Sequence, residues 1–238
     1  MTRARPAADD LATMSFRAAP AVDRATTSLR RVGAADPVTT KLGVRKRRPR
    51  PASYRQLLPP SVKNAFTSQA KVPLVRAELL YREVASRTGI PWQLLAACDW
   101  MQCEARPRRS PVHGEKLGAV NLDGSVYRTK SAALEQCAYE LIDLAEGVYR
   151  VDLTGPGDLS VSELALAFAA FRWGGLLKQH HTSAMEFPYS VAGLTVEHMN
   201  MRWPNIDESQ TPDKPGARFR RPFGAVPVVL SLNYPAIA

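Results

Sequence analysis

The sequence predicts a mainly α-helical domain over residues 73–238, preceded by a disordered, basic, Pro- and Arg-rich segment over residues 1–72. Two observations carry this prediction: apolar residues recur at sustained helical spacing from Val72, after a short helical turn at Val62–Phe66, and the excess positive charge is confined to the first part of the chain. Residues 1–72 contain 15 Lys and Arg against 4 Asp and Glu, whereas the remainder contains 17 against 18. The near-neutral charge of the predicted domain argues against a nucleic-acid reader that binds through its folded surface.

The first 50 residues mix Ala, Pro, Arg, Thr and Asp without a sustained apolar period. Such a segment buries too little apolar surface to offset the entropy of ordering, which is why we expect disorder. The positive charge is densest over residues 41–51, KLGVRKRRPRP. This run either contacts a polyanion, such as nucleic acid, anionic lipid or a wall polymer, or it keeps a disordered tail in solution. Because no aromatic residues interrupt it, it specifies no particular partner.

Residues typical of helix ends separate the predicted helices. Gly89 is predicted to end the first helix, and Pro91 to begin the second in its first turn. Ser160 and Glu163 form a capping-box pattern before a nearly all-apolar helix, which we expect to be the most buried. The later helices are predicted over about 131–147, ending at Gly147, over 160–175, ending at Gly174-Gly175, and over 195–202, followed by an apolar end at 226–232.

Residues 106–128 are predicted to be irregular, because Pro and Gly residues interrupt them. Within this region Asp123-Gly124 lies between Val120 and Val126, a pattern typical of a hairpin turn. We therefore expect a small loop or hairpin region between the helices.

The sequence favours neither a Sec export signal nor a membrane-spanning segment, and Arg30-Arg31 resembles a twin-arginine signal only without the apolar run that should follow it. Arg3 and Arg5 are not followed by an apolar run, and no run of 18 apolar residues exists. The three cysteines, Cys98, Cys103 and Cys137, are too few for a disulfide framework. We therefore expect a cytoplasmic protein that acts in the cell wall or outside the cell only after release or export by another route. Nothing indicates an oligomeric state.

Four segments, taken in order, resemble the lysozyme-like superfamily of phage and bacterial peptidoglycan hydrolases, which includes the lytic transglycosylases. The resemblance covers about residues 73–234. It implies a lysozyme-like helical domain that holds the glycan strands of peptidoglycan in a cleft. The segments are TGIPWQLLAACDWMQCE (88–104), similar to the helix leading to the family's catalytic Glu; HGEKLGAVNLDGSVYRTK (113–130), placed like its substrate-facing loop; AFRWGG (170–175), similar to the end of a buried helix; and FPYSVAGL with HMNMRWP (187–204), similar to the Pro-Tyr loop that closes the sugar cleft.

The resemblance implies one catalytic residue, a Glu at the end of the first cleft helix that protonates the oxygen of a β-1,4 glycosidic bond. Counting from Pro91, this position is Gln102, whose amide can hold a sugar but has no ionisable proton. In an active version of the hypothesis the general acid is Glu104, if the helix ends at Cys103, or else Glu115. In an inactive version Gln102 marks a glycan-binding pseudoenzyme. Both versions stay open, as does the choice between hydrolysis and intramolecular transglycosylation.

Five further residues are candidates for contacts with the glycan. Trp100, Trp173 and Tyr189 could place their rings on the apolar faces of sugars, or they could pack in the core. Tyr189 has the best match to the family's pattern. Asp99 lies one helical turn before the family's Glu position, so it could also line the cleft. Gly174 either helps to end a helix or lets the substrate approach the backbone.

The sequence predicts no metal site and no cofactor. His180 and His181 are adjacent and would point about 100° apart on a helix, and no CxxC or HExxH pattern accompanies them. A wall peptidase that uses Cys103 or Cys137 with His113 is a further alternative, although no local signature supports it. Cys137 lies on an apolar helical face, which favours a core position.

A rival interpretation from another class is a non-enzymatic interaction protein that holds nucleic acid or another polyanion through residues 41–51. The biological setting also stays open, because a phage lysin, a wall-remodelling factor and a secreted effector all fit the pattern.

Overall fold

The fold is seen in a computed structural model, which describes residues 58–121, 123–206 and 216–236. Over these residues the chain is mainly helical and contains only two isolated β-bridges, so the predicted helical class is confirmed. The lysozyme-like arrangement stays a prediction. The helices are α1 (Pro60–Ala65), α2 (Lys71–Arg76), α3 (Glu78–Thr88), α4 (Trp92–Cys103), α5 (Lys130–Tyr149), α6 (Val161–Gln179), α7 (Pro188–Val191) and α8 (Ala225–Ser231), with a π-helical turn at Phe66–Ala70 and 3₁₀ turns at Ala184–Glu186 and Glu197–Asn200.

Packed helical structure is already present over residues 58–72, before the predicted start of the domain at residue 73. The segment that leads from α1 through the π-helical turn into α2 places one apolar side chain in the core at every fourth position. These buried residues are Leu58, Val62, Phe66, Ala70 and Leu74. The rest of the predicted basic segment, residues 1–57 with the charged run at 41–51, lies outside the described residues.

Helix α4 lies at the centre of the fold, since α3, α5 and α8 all pack against it. It is bounded as the sequence predicts: Gly89 ends α3 with a left-handed φ of 81°, and Pro91 directly precedes α4. Nearly every residue of α4 is buried, which leaves the half-buried Gln102 near its end as an exception. The central, buried helix therefore ends close to Gln102, the position that the resemblance assigns to the catalytic Glu.

The two longest helices, α5 and α6, pack along each other. Helix α5 continues two residues beyond Gly147, whereas α6 has a kink at Trp173, directly before Gly174 and Gly175, and then resumes as far as Gln179. The prediction of a helix end at Gly147 is therefore wrong by two residues, whereas the predicted end at Gly174-Gly175 directly follows the kink that divides α6. A Cβ atom built on Gly174 would lie 3.2 Å from a methyl group of Val148, so this glycine allows the close approach of α5 and α6. The capping box of Ser160 and Glu163 at the start of α6 is confirmed.

Alanine substitution of the two adjacent glycines of α6 is expected to have opposite effects. Gly175→Ala should raise the free energy of unfolding by about 0.5–1 kcal/mol, because the position is helical and a Cβ there meets no atom within 4 Å. Gly174→Ala should lower it by about 1 kcal/mol, because the new methyl group crowds Val148. Urea unfolding of the two variants checks this, and equal effects would contradict the assigned packing of α5 on α6.

The region between α4 and α5 is irregular, as predicted. The Asn121 N–H donates to the Ser125 carbonyl at 2.9 Å, and the Gly118 N–H donates to the Tyr127 carbonyl at 2.8 Å. The chain therefore reverses at the predicted turn, but the described residues on either side do not form strands.

None of the helices seen in the described parts of the chain has the length and apolar character needed to cross a membrane.

Candidate functional site

The structure brings two of the predicted site residues together at the end of α4. The Gln102 side-chain amide donates to the Tyr189 hydroxyl at 3.4 Å, a long hydrogen bond across 87 positions of sequence. Tyr189 lies in α7, a single turn that begins at Pro188, and only 4% of the residue is exposed. The helix end that leads to Gln102 and the Pro-Tyr segment are thus neighbours in the fold.

Two arginines that sequence reasoning missed act on Tyr189 electrostatically. The guanidinium carbon of Arg172 is 6.0 Å from the centre of the Tyr189 ring. Burial, followed by the neighbouring Cys98 thiol, raises the pKa of Tyr189 well above its usual value, and Arg172 and Arg221 oppose that rise. The phenol therefore stays neutral and can both donate and accept hydrogen bonds. We refer to Gln102, Arg172, Tyr189 and Arg221 as the Gln102–Tyr189 site.

Arg221 contacts the end of α4 from the segment that precedes α8. Its side chain is half-buried, and one of its N–H groups donates to the Trp100 carbonyl of α4 at 3.2 Å. Burial lowers the pKa of Arg221, whereas the charge of Glu104 opposes this effect. The sequence offered little signal for this placement, since Arg221 lies in a basic stretch that resembles an exposed loop.

Glu104 is the first residue beyond α4, as the active version of the hypothesis required. It has a left-handed φ of 58°, and its backbone N–H donates to the Trp100 carbonyl. Its carboxylate, however, is exposed and forms an ion pair with Arg106. Glu104 therefore lacks the apolar enclosure that keeps a proton on a catalytic carboxylic acid.

Glu115, the second candidate for a general acid, is also exposed. Its backbone carbonyl accepts a hydrogen bond from the Ser110 N–H at 2.7 Å, which ties the loop together. The preceding Gly114 lies close to α4, because a Cβ atom built there would be 3.2 Å from the Gln102 carbonyl oxygen. The loop thus packs against the end of α4, but the Glu115 side chain is on its outer side.

Asp99 does not line a cleft, in contrast to the prediction, because it is completely buried. Its carboxylate accepts from the Tyr81 hydroxyl at 2.7 Å and from the Cys103 thiol at 2.9 Å, and it forms an ion pair with Lys130. Lys130 also donates to the Arg109 carbonyl at 2.8 Å. Asp99 therefore holds α4, α5 and the loop after α4 together, and has no open side for a ligand.

The cysteines are buried thiols, which leaves the wall-peptidase alternative without support. Burial and the charge of Asp99 raise the pKa of the Cys103 thiol to about 12. The pKa of Cys137 is raised through a hydrogen bond with Cys98 and through burial. His113 pairs with Asp123 at 3.2 Å instead of with a thiol. A nucleophilic cysteine needs an accessible thiolate, so neither candidate is suited to that role.

Trp100, Trp173 and Tyr189 all pack in the core, which is the second of the two roles considered for them. Trp100 stacks on Phe223 with ring centres 6.1 Å apart, and Trp173 lies 5.0 Å from Trp203. Gly174 is likewise buried, so it offers no backbone approach to a substrate. Trp203 is only half-buried, so its ring is a better candidate for a sugar contact than the rings of Trp100 and Trp173. Trp203 belongs to the 187–204 segment of the resemblance but was not predicted as a site residue.

A surface pocket of about 370 Å³ lies away from all the predicted site residues. It is lined by residues of α2, α3, α4 and α8, among them Arg82 and Trp92. The Arg82 guanidinium lies 4.7 Å above the Trp92 ring, so the most prominent side chains of this pocket already contact each other.

The described residues contain no group of three His, Cys, Asp or Glu side chains placed to hold a metal ion. No family model, curated protein or solved structure showed a significant match to this chain.

Proposed function

We propose that this protein binds the glycan strands of peptidoglycan at the Gln102–Tyr189 site and does not cleave them by general-acid catalysis. The observation that carries the proposal is the contact between the Gln102 amide and the Tyr189 hydroxyl at the end of the central helix. The resemblance assigns that position to a catalytic Glu, and it assigns the Pro-Tyr segment to the wall of the sugar cleft. Amide and phenol groups suit the hydroxyl and acetamido groups of a glycan, since both can donate and accept hydrogen bonds.

Among the described residues no suitable acid lies at this site, which favours the pseudoenzyme over the hydrolase. A carboxamide cannot protonate a leaving group, and loss of a general acid typically lowers the reaction rate about 10²- to 10⁴-fold. Glu104 and Glu115 are exposed, and Glu104 is already paired with Arg106. Cleavage through Glu104 is the alternative, which requires that residue to leave its ion pair.

Co-sedimentation of the full chain with insoluble peptidoglycan tests binding. We expect Gln102→Ala to weaken binding about fivefold to tenfold, the effect of losing one or two polar contacts. Gln93→Ala is the matched control, because Gln93 is a half-buried glutamine at the opposite end of α4. Failure of the unmodified chain to sediment with the wall would overturn the proposal.

Turbidity of a cell-wall suspension tests cleavage. Neither the unmodified chain nor Glu104→Gln should clear the suspension. Clearing by the unmodified chain that is lost in a folded Glu104→Gln variant would instead establish Glu104 as the general acid.

A further inference from the structure

Two short extended segments before α8 lie antiparallel and place two arginines directly opposite each other. Backbone hydrogen bonds of 2.8, 2.9 and 3.1 Å join residues 201–203 to residues 216–219, and they enclose the bridge between Arg202 and Arg218. These two residues form a pair that is not itself hydrogen-bonded, the arrangement in which opposing side chains come closest. We refer to residues 201–203 and 216–220 as the arginine ribbon.

The arginine ribbon separates its charged side chains from its apolar ones. Side chains of extended chain alternate between two faces, and Arg202, Arg218 and Arg220 are all exposed. The residues that alternate with them are half-buried and pack against the core: Met201, Trp203 and Phe219. The outer face of the ribbon is therefore a row of three guanidinium groups.

Within the described parts of the chain, neutral groups are the only partners of these arginines. Arg202 donates to the Gly216 carbonyl at 3.1 Å, and Arg218 donates to the Asn200 side-chain oxygen at 3.1 Å. Residues 207–215, which connect the two sides of the ribbon and include both acidic and basic residues, lie outside the described part. Like charges directly opposite each other destabilise a strand pair, so an anion that contacts both guanidinium groups would remove an existing cost.

The near-neutral average charge of the domain conceals a segregation of charge. Positions 135–146 of α5 hold four carboxylates, none of them buried, and no Lys or Arg. The described residues 200–206 and 216–221 hold four arginines and no carboxylate. The average charge argues against binding of nucleic acid by the domain as a whole, but the local charge favours it at the arginine ribbon.

We infer that the arginine ribbon binds the phosphate backbone of a nucleic-acid strand. A guanidinium matches a phosphate through two parallel hydrogen bonds, and a row of guanidinium groups suits a polymer with regularly repeated phosphates. A membrane surface fits less well, because the apolar side chains of the ribbon face the core and cannot enter the lipid. Contacts to the backbone carry no sequence information, so binding is independent of base sequence. This inference does not rest on the proposed glycan binding.

Fluorescence anisotropy of a labelled single-stranded DNA oligonucleotide, titrated with the full chain between about 50 and 200 mM salt, tests the inference. Arg202→Gln combined with Arg218→Gln should weaken binding about tenfold at the lowest salt and reduce the slope of log K against log salt by roughly 1.4. Arg76→Gln combined with Arg150→Gln is the matched control, since it removes two exposed arginines from α2 and the end of α5. Equal losses in the two double variants, or no binding by the unmodified chain, would overturn the inference.

The charged run at 41–51 could bind the oligonucleotide by itself, so the titration is repeated in a full chain whose four cations at positions 45–48 are replaced by Gln. The loss caused by the ribbon substitutions should persist in this background. If the background chain with its intact ribbon no longer binds DNA, the binding belongs to the N-terminal run and the inference is wrong.

Arg220→Gln keeps the test independent of the packing of the ribbon, because Arg220 forms no hydrogen bond or ion pair among the described residues. It should weaken DNA binding about threefold and reduce the salt slope by roughly 0.7. Vesicles that contain anionic lipid serve as the competing partner. Loss of vesicle binding in the ribbon variants, with DNA binding retained, would assign the surface to a membrane and contradict the inference.

Discussion

Replacing Lys130 with methionine is expected to lower the free energy of unfolding by about 3–5 kcal/mol. The reason is that Asp99 is completely buried, so the substitution leaves its carboxylate without the cation that compensates it. Methionine has a similar volume, which keeps the packing around α5 nearly unchanged. The substitution also removes the hydrogen bond to the Arg109 carbonyl, so the loop after α4 should loosen as well.

Chemical denaturation of Lys130→Met beside Arg150→Met measures this effect. Arg150 at the other end of α5 belongs to an exposed ion pair with Glu146, 3.9 Å long, whose loss should change stability by less than about 0.5 kcal/mol. Adding Asp99→Asn to Lys130→Met should recover part of the lost stability, since it removes the unpaired charge. A loss below about 1 kcal/mol in Lys130→Met would show that the buried pair has no structural importance.

Gly224→Ala is expected to destabilise the fold by about 3 kcal/mol and to disturb the Gln102–Tyr189 site. A Cβ atom built on Gly224 would lie 2.8 Å from the carbonyl oxygens of Pro188 and Ser190. These are backbone atoms, so no rotation of a side chain can relieve the contact. The residue displaced with them is Tyr189, which lies between them, and glycan binding should therefore fall together with stability.

Thermal unfolding and wall co-sedimentation of Gly224→Ala check this prediction. The control is Gly147→Ala, which adds a Cβ to helix α5 with no atom within 4 Å and should be neutral or slightly stabilising. If Gly224→Ala were as stable as the unmodified chain, the close approach of the Pro188–Ser190 backbone to α8 would be incorrect.

Sequence reasoning succeeded where local chemistry sets the structure. The capping box of Ser160 and Glu163, the left-handed Gly89 and the position of Pro91 each act within one or two helical turns, and each was correctly placed. The predicted stop at Gly147 is two residues early, because the packing of α5 on α6 compensates the intrinsic cost of glycine in a helix. The predicted stop at Gly174 directly follows the kink at Trp173.

The start of the packed region could have been found from the sequence. Apolar residues at every fourth position from Leu58 to Leu74 form a regular pattern. The high basic content of residues 1–72 obscured that pattern, because the charge was averaged over both parts. A shortened form of this protein should therefore keep residue 58 and everything after it.

The chemistry of the site was the least predictable part, because it depends on residues that are distant in sequence. Asp99 lies one helical turn from Gln102, which made it a candidate for the cleft. Its partner Lys130 lies 31 positions later in the sequence, so the ion pair that buries Asp99 could not be read from the local pattern. Arg221 contacts Trp100 across 121 positions, and no local pattern around either residue indicates that contact. The Gln102–Tyr189 pair was accessible only because a family resemblance placed both segments at one cleft.

The burial of all three cysteines has a practical consequence for studying this protein. Cys98, Cys103 and Cys137 are the only thiols in the chain, and each is at most 5% exposed. A maleimide dye should therefore react with the folded protein only at a cysteine that is introduced on its surface, for example by Arg220→Cys. A fluorophore at that position lies one residue from Arg221 and would report the arrival of a glycan as a change in emission.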